Sequence, residues 1–239
     1  MSSKDKEWSL RRFEMTKLIL IIVAVSYLLG SIPFGYLLVR IFRKEDVRLT
    51  GSGNIGATNV ARTGSKWLAI ATLLLDALKG YAAVTFAFWI ANAYRFSVRR
   101  QFPETVYDTR SAIMSSRMVF LLAALAAFVA ILGHVFTVWL RFKGGKGVAT
   151  AAGAFTALAP RAMLVVFVLF LLIVALTRYV SLGSIAAGAA FPLCVWWLAP
   201  AERTGAPILL LIAASSFIII LRHKDNIRRL LAGTENRFR

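Results

Sequence analysis

The residues best suited to chemistry lie in a short glycine-rich segment between two long apolar runs. Its glycines alternate with small polar residues, in the order Gly51, Ser52, Gly53, Asn54, Gly56, Thr58 and Asn59. Glycines let a backbone turn tightly and approach a ligand closely, and the N–H groups of such a turn can bind an anion. Positive charge near the segment comes from Arg48, Arg62 and Lys66. The segment therefore predicts a phosphate site.

A second glycine-rich loop, Lys143-Gly144-Gly145-Lys146-Gly147, joins one apolar run to the start of the next. N–H groups at a helix start bind phosphate well, and the two lysines add mobile cations. The loop lacks the spacing of a nucleotide-binding Walker loop. A tight interhelical turn with basic interfacial anchors explains it equally well, so both interpretations stay open.

Two charged residues, Asp76 and Lys79, lie three residues apart inside an apolar run. Each would cost about 2.5–3.5 kcal/mol near the centre of a bilayer, so we expect them to face the interior and to pair with each other. A structural ion pair is the favoured interpretation.

Two histidines and one serine complete the candidate polar residues. His134 precedes the second loop and is expected to be an interfacial anchor or a helix cap. His223 begins a basic tail and lies one turn before Asn226, on the same helix face. Ser181 fits the N-cap of a helix. Cys194 is the only cysteine and no HExxH spacing occurs, so neither a metal nor another cofactor is predicted.

These residues belong to an all-α integral membrane protein. Of 239 residues 59% are apolar, the mean hydropathy is +0.70, and the apolar residues form the blocks 18–39, 67–93, 118–140, 148–177, 182–199 and 206–221. About 20 such residues span the bilayer core, where a backbone must pair its own polar groups. The charged extension 1–17 leads into an uncleaved first helix. The net charge is +18, and the basic residues that cause it are expected to face lipid head groups. No nucleic-acid partner is predicted.

The block 148–177 decides the topology, because Pro160 interrupts a run too long for one untilted helix. We predict a short, tilted or re-entrant helix, a turn, and a second helix from about 162 to 177. The result is a bundle of about seven membrane helices. Both glycine loops, residues 178–181 and the C-terminal stretch 222–239 then share one face. That face carries 16 of the lysines and arginines against 12 on the other, which favours the cytoplasm. Residues 95–117 are predicted to be a solvated surface loop.

From about residue 27 to 233 the chain resembles the bacterial acyl-phosphate:glycerol-3-phosphate acyltransferases. The resemblance rests on ordered motifs: Gly30 to Gly35, Gly51 to Arg62, Leu75-Asp76 with Lys79-Gly80, Gly133-His134, Phe142 to Gly147, Arg178 to Ser184, and His223 with Asn226-Ile227. The N-terminal extension and the long 95–117 segment depart from the family pattern, and neither touches a motif. Residues 18–222 are then the acyltransferase domain.

The resemblance implies transfer of a fatty acyl group from acyl phosphate to the 1-hydroxyl of glycerol 3-phosphate, giving lysophosphatidate and phosphate in phospholipid synthesis. It implies a multi-pass protein of the bacterial inner membrane whose site and C-terminus face the cytoplasm. Acyl-CoA and acyl carrier protein are not donors, and an upstream enzyme that forms acyl phosphate is a candidate partner. Acyltransferases of the soluble type need an aspartate five residues after a histidine, where this chain has Trp139 and Arg228.

The predicted roles divide the polar residues between the two substrates. The acyl-phosphate group is assigned to Ser52, Gly53, Asn54, Gly56 and Asn59. By resemblance, glycerol phosphate is assigned to Arg62, Lys146, Ser181, His223 and Asn226, with Lys143, Gly144 and Gly145 in the neighbouring loop. Ser52, Asn54 and His223 are the candidate catalytic residues, and Asp76, Lys79 and His134 support the site. The proton of the attacking hydroxyl goes either to His223 or to a substrate phosphate oxygen.

Two other classes of protein compete with this interpretation. A transporter of a phosphorylated metabolite or lipid also has broken helices, glycines and interior charges. Its polar motifs would lie at the membrane midplane in two matching halves, whereas here they cluster on one predicted face. A membrane scaffold without activity leaves the two glycine loops unexplained.

Overall fold

Helices account for most of residues 3–100 and 109–237, the parts of the chain that the computed structural model describes, and these parts contain no strand. In chain order the helices are α1 (Ser3–Ser31), α2 (Phe34–Arg43), α3 (Ala57–Ala61), α4 (Lys66–Arg100), α5 (Thr109–Val135), α6 (Val148–Leu158), α7 (Pro160–Thr177), α8 (Val180–Leu198), α9 (Ala206–Leu221) and α10 (Lys224–Leu231). The predicted all-α membrane fold is confirmed.

Five helical segments in the described ranges are long and apolar enough to cross a membrane: Phe13–Arg43, Lys66–Ser97, Ser116–Leu140, Pro160–Thr177 and Val180–Leu198. A sixth forms if α9 and α10, which meet at 56°, are taken together. The apolar helix α6 has 11 residues, about 16 Å of helix, which is too short to cross the bilayer core. The count of seven is therefore approximate and includes α6 as a partial span.

Two prolines set the breaks in these spans. The break before Pro160 was predicted, and α6 ends at Leu158 while Pro160 begins α7, where its missing N–H is no loss. The break at Ile32-Pro33 between α1 and α2 was not predicted. Proline disfavours the helical conformation of the residue before it, which explains this interruption.

The core lies where α4 and α5 meet their neighbours. Helix α4 packs on α1, α5 and α6, and α5 also packs on α1 and α9. At the crossing of α4 and α6, a side chain at Gly80 or Gly153 would overlap the backbone of the opposite helix. Small residues allow such close approach, which is how membrane helices gain packing energy. The rings of Phe155 and Phe191 stack 3.9 Å apart between α6 and α8.

The prediction of a long surface loop at 95–117 is wrong for most of its length. Helix α4 continues to Arg100 and α5 begins at Thr109, while residues 101–108 lie outside the described residues. Arg95 donates to Ser116 Oγ at 3.3 Å, so one of the charges assigned to the loop joins two helices. The predicted N-terminal extension is likewise helical from Ser3 and continuous with the first apolar segment.

Candidate active site

The first glycine-rich segment is organised around the side chain of Asn59. This buried amide donates through Nδ2 to the carbonyl oxygens of Val47, Thr50 and Asn54 at 2.8–2.9 Å. Its Oδ1 accepts from the backbone N–H of Ser52 at 2.8 Å and from Ser52 Oγ at 3.2 Å. Every polar atom of Asn59 is thus used within the loop. Asn59 therefore shapes the loop that other residues present, and its predicted contact with substrate stays a prediction.

The groups that this loop leaves accessible come from its neighbours. Ser52 and Gly53 are exposed, and Asn54 is half-buried with its Oδ1 accepting from the N–H of Gly56 at 2.9 Å. The Nδ2 group of Asn54 donates to no described residue. Arg62 is exposed, lies beside Gly51, and makes no ion pair with any described residue. The loop therefore offers a hydroxyl, an amide and a guanidinium, as the phosphate prediction requires.

The second loop packs against His134, which holds it in place. The N–H groups of Gly144 and Gly145 donate to the carbonyl oxygens of Val135 and His134 at 3.1 Å. A side chain at Gly145 would overlap the His134 ring. These two glycines therefore serve close packing, and their N–H groups are not free for a phosphate. The predicted substrate contact of Gly144 and Gly145 stays a prediction.

Asp76, Lys79 and His134 form one buried cluster. Lys79 Nζ lies 2.7 Å from Asp76 Oδ1, which confirms the predicted ion pair, and also donates to the Ile32 carbonyl oxygen at 2.7 Å. His134 Nδ1 lies 3.6 Å from the same Asp76 oxygen. The cluster links the break after α1, helix α4 and the second loop. His134 is only 3% exposed, so the prediction that it anchors at the membrane interface is wrong.

His223 lies at the junction of α9 and α10 and is buried. Its Nδ1 is 2.8 Å from the Ile219 carbonyl oxygen. A carbonyl oxygen only accepts, so Nδ1 carries the proton and Nε2 keeps its lone pair. Burial, together with the charge of Lys146, lowers the pKa of His223 to about 4. The imidazole is therefore neutral near pH 7 and presents Nε2 as an acceptor.

Four segments meet in a cluster around Asn226 and Glu235. Lys146 Nζ donates to Asn226 Oδ1 at 2.5 Å, and Asn226 Nδ2 donates to Glu235 Oε1 at 2.6 Å. Ser181 Oγ donates to the same Glu235 oxygen at 2.8 Å, and Arg229 Nε donates to Oε2 at 2.7 Å. Ser181 is the second residue of α8 and makes no cap, so its predicted N-cap role is wrong.

Electrostatics connect this cluster to the first loop. Burial, together with the charges of Arg229 and Arg62, lowers the pKa of Lys146 to about 8, while the charge of Glu235 opposes this fall. Arg62, which borders the first loop, is thus within electrostatic reach of Lys146 in the second. The predicted residues Arg62, Lys146, Ser181, His223 and Asn226 come together. Lys143 is exposed, and its side chain makes no hydrogen bond or ion pair with any described residue.

Sequence reasoning missed Glu235 and Arg229. Asp225 and Glu235 are the only acidic residues in the tail 223–239, and this isolation was the one available signal. Asp225 is mostly exposed and pairs with Arg228 at 3.7 Å, so composition alone could not separate the two acids. The fold distinguishes Glu235 from Asp225, because the chain reverses after α10.

Fold and site together define a helical integral membrane protein whose polar residues converge on one cationic cluster. The family model for glycerol-3-phosphate acyltransferase matches residues 20–233. The chain belongs to the glycerol-3-phosphate acyltransferase family. A glycerol-3-phosphate acyltransferase of Agrobacterium fabrum is 46% identical over 213 residues, covering 89% of this chain and 88% of that protein. One from Geobacter sulfurreducens is 47% identical over 221 residues, covering 92% and 97%.

Solved structures give the same relationship. A crystal structure of PlsY, an integral membrane glycerol 3-phosphate acyltransferase, in its glycerol 3-phosphate form has a TM-score of 0.76 at 33% identity. The matched region covers 96% of the PlsY chain and 92% of this chain. The lysophosphatidic acid form of PlsY has a TM-score of 0.73 at 32% identity. The likeness therefore extends over nearly all of both chains.

Proposed function

We propose that the protein transfers a fatty acyl group from acyl phosphate to the 1-hydroxyl of glycerol 3-phosphate, forming lysophosphatidate and inorganic phosphate. The observation that carries this proposal is the convergence of Lys146, Ser181 and Asn226. These residues come from three distant segments: Lys146 donates to Asn226, and Asn226 and Ser181 donate to the same Glu235 oxygen. A cation, a hydroxyl and an amide gathered in this way suit a phosphate monoester.

We assign the two substrates to adjoining parts of the site. Glycerol phosphate binds the cluster of Lys146, Ser181 and Asn226, with Arg62 completing its charge. The phosphate of the acyl donor binds the first loop, where Ser52 and Asn54 keep accessible polar groups. The charge of Arg62 acts on Lys146, and this supports the arrangement, because the hydroxyl of one substrate must meet the acyl carbon of the other.

Acyl phosphate needs no covalent enzyme intermediate, because its phosphate is already a good leaving group. The glycerol oxygen forms a bond to the acyl carbon, the bond from that carbon to the phosphate oxygen breaks, and the hydroxyl proton leaves. With a pKa of about 4, His223 is a weak base in the empty site. We therefore assign His223 Nε2 to orient the hydroxyl as an acceptor, while the proton passes to an oxygen of the departing phosphate.

We place the site and the C-terminus on the cytoplasmic face of a bacterial inner membrane, where both substrates are water-accessible. An enzyme that forms acyl phosphate is then a natural supplier. The transporter alternative would instead place the polar residues at the membrane midplane. Clustering of the polar residues at the junctions of α5–α6, α7–α8 and α9–α10 favours a site at the end of the bundle over a midplane pathway.

The test is a donor comparison with purified protein in detergent. Palmitoyl phosphate and glycerol 3-phosphate are expected to give lysophosphatidate and phosphate in equal amounts, while palmitoyl-CoA gives none. Transfer from palmitoyl-CoA at a comparable rate would overturn the donor assignment. A transporter would give no product from either donor and would need sealed vesicles to show any activity.

A further inference from the structure

A cavity lies at the end of the bundle opposite the candidate active site. The start of α7 and the end of α8 form two of its sides, and Arg203, in the connection from α8 to α9, completes its lining. Its volume is about 290 Å³, close to the lower end of the range of roughly 300–1,000 Å³ found for small-ligand sites. The cavity is therefore large enough for a small head group.

The full length of α7 separates this cavity from the candidate active site. Helix α7 has 18 residues, about 27 Å of helix, and it packs along α8, whose other end carries Ser181. Because the bilayer core is about 30 Å thick, the cavity lies at the opposite membrane interface. Trp196 and Trp197, near the end of α8, are 66% and 81% exposed, as is typical of tryptophans at the level of the head groups.

Two arginines line the cavity, and neither makes an ion pair with any described residue. Arg161 is exposed in the first turn of α7. The guanidinium of Arg203 lies over the ring of Phe120 on α5, 4.4 Å from its centroid. Such a cation–π contact orients the guanidinium and leaves its N–H groups free for a ligand. The planar fork of a guanidinium matches the oxygen atoms of a phosphate, so the cavity suits a phosphate-bearing anion.

An apolar groove between α8 and α9 flanks the same connection. Leu193 and Trp196 of α8 line one side, and α9 lines the other from Ala206 to beyond Leu210. The volume of the groove is about 370 Å³, and the side chains of Leu193 and Leu210 are exposed. In a bilayer this groove faces the acyl chains of lipids. The connection that carries Arg203 leads directly into Ala206, so the groove begins beside the basic cavity.

We propose that the cavity binds the phosphate of an anionic phospholipid, and that one acyl chain of this lipid lies in the groove between α8 and α9. Basic groups at a membrane surface attract anionic head groups, and basic pockets between membrane helices bind them. A free phosphate ion would use the two arginines and leave the groove empty, whereas a lipid fills both. None of the residues that we assign to the two substrates lines the cavity or the groove. The lipid site is therefore separate from the site of the reaction.

Binding is measured by native mass spectrometry of the purified protein in detergent. Phosphatidylglycerol is compared with phosphatidylcholine of the same acyl chains, because only the first lipid has a net negative charge. Phosphatidylglycerol is expected to bind about thirtyfold more tightly, since each of two basic groups beside the head group contributes about fivefold. Equal affinities for the two lipids in the parent protein would overturn the proposal.

Charge variants locate the site. Arg161→Gln and Arg203→Gln are each expected to weaken the binding of phosphatidylglycerol about fivefold, and the double variant about thirtyfold. Arg117→Gln is the matched control, since Arg117 is exposed on α5 one turn before Phe120 and does not line the cavity. Its affinity is expected to stay within twofold of the parent value. An equal loss in Arg117→Gln would mean general surface charge and would overturn the site. Melting temperatures in lipid-free detergent check that each variant is folded.

Two further measurements distinguish a lipid from a free phosphate ion. Ala213→Phe fills the groove without changing the charge, and it is expected to weaken phosphatidylglycerol binding about tenfold, as the loss of roughly two buried methylene groups would do. Millimolar inorganic phosphate is expected to displace no more lipid than chloride at the same ionic strength. Unchanged binding in Ala213→Phe, or complete displacement by phosphate, would overturn the assignment to a lipid. None of these measurements depends on turnover, so they test the lipid site whatever the donor comparison shows.

Discussion

Lys146 supplies the buried positive charge on which glycerol phosphate binding depends in this account. Its ammonium group donates to Asn226 and lies in a half-buried position near Arg62 and Arg229. Burial lowers the pKa of Lys146 to about 8, so the group is charged at pH 7 and neutral well above pH 8. A neutral amine loses its attraction for a phosphate dianion.

The first prediction follows from this titration. The kcat/KM for glycerol phosphate reports the free enzyme, and it is expected to fall as the pH rises through about 8. Lys146→Arg keeps its charge over this range and is expected to remove that fall, whatever its activity at pH 7. Rate profiles from pH 6.5 to 9.5 measure the effect. The same decline in Lys146→Arg would show that another group is responsible.

His223 has a separate role that its replacement can reveal. If the imidazole only orients the hydroxyl, His223→Ala is expected to raise the KM for glycerol phosphate and to lower kcat by roughly tenfold, the loss of about one hydrogen bond. A general base would contribute about a hundredfold to ten-thousandfold in kcat. Steady-state kinetics at saturating glycerol phosphate distinguish the two. A thousandfold fall in kcat would restore the general-base role and contradict our assignment.

Among the elements, the loop 50–60 behaves as one hydrogen-bonded unit whose shape comes from Asn59. Removing that amide leaves the carbonyl oxygens of Val47, Thr50 and Asn54 without their donor. Each buried group left unsatisfied costs about 1–3 kcal/mol. The structure of the loop is therefore expected to change more when Asn59 is replaced than when one of its accessible residues is replaced.

We accordingly predict different outcomes for two alanine variants. Asn59→Ala is expected to abolish transfer and to increase hydrogen exchange across the loop, because the loop loses its internal partner. Ser52→Ala is expected to abolish transfer with exchange unchanged. Thr63→Ala, which removes one bond to the Val60 carbonyl oxygen at the end of the loop and does not involve Asn59, serves as the control. Equal exchange in Asn59→Ala and the parent protein would refute the organising role.

Elements and their breaks were predictable to different degrees. Pro160 interrupts a 30-residue apolar run, and length alone required a break there. The interruption at Pro33 lies inside a run of ordinary length, so the sequence held no such requirement. The segment 95–117 was mistaken for a loop because its arginines are charged, yet a helix that extends past the apolar core can expose charge to water. Charge indicates the environment of a residue and not its backbone conformation.

At the scale of the whole molecule, the site is a meeting point of segments far apart in the chain. The polar motifs identified most of its members, including Lys146, Ser181 and Asn226. The partners of these residues could not be predicted, because contacts such as Ser181 with Glu235 depend on how α8 and α10 lie together. The triad of Asp76, Lys79 and His134 shows the same limit, since only its pair within one helix follows from spacing.

The proposed orientation predicts a clear asymmetry in labelling. In a Cys194→Ser background, Lys224→Cys on the tail is expected to react with a membrane-impermeant thiol reagent only from the cytoplasmic side. Ala201→Cys, in the connection between α8 and α9, is expected to react only from the opposite side, because α9 separates the two positions. Right-side-out and inverted vesicles provide the comparison. Reversed accessibility at both positions would contradict the placement of the site.

The central claim is that two phosphates bind at separate places, the acyl donor at the first loop and glycerol phosphate at the cluster around Asn226. The most direct measurement is the KM for each substrate in Asn54→Asp and Lys146→Ala. Lys146→Ala is expected to raise the KM for glycerol phosphate by about tenfold to a hundredfold, the loss of a charged hydrogen bond, with little change for acyl phosphate. Asn54→Asp, which adds negative charge at the first loop, is expected to do the reverse. A rise in the same KM for both variants, or an exchange of the two effects, would contradict the account.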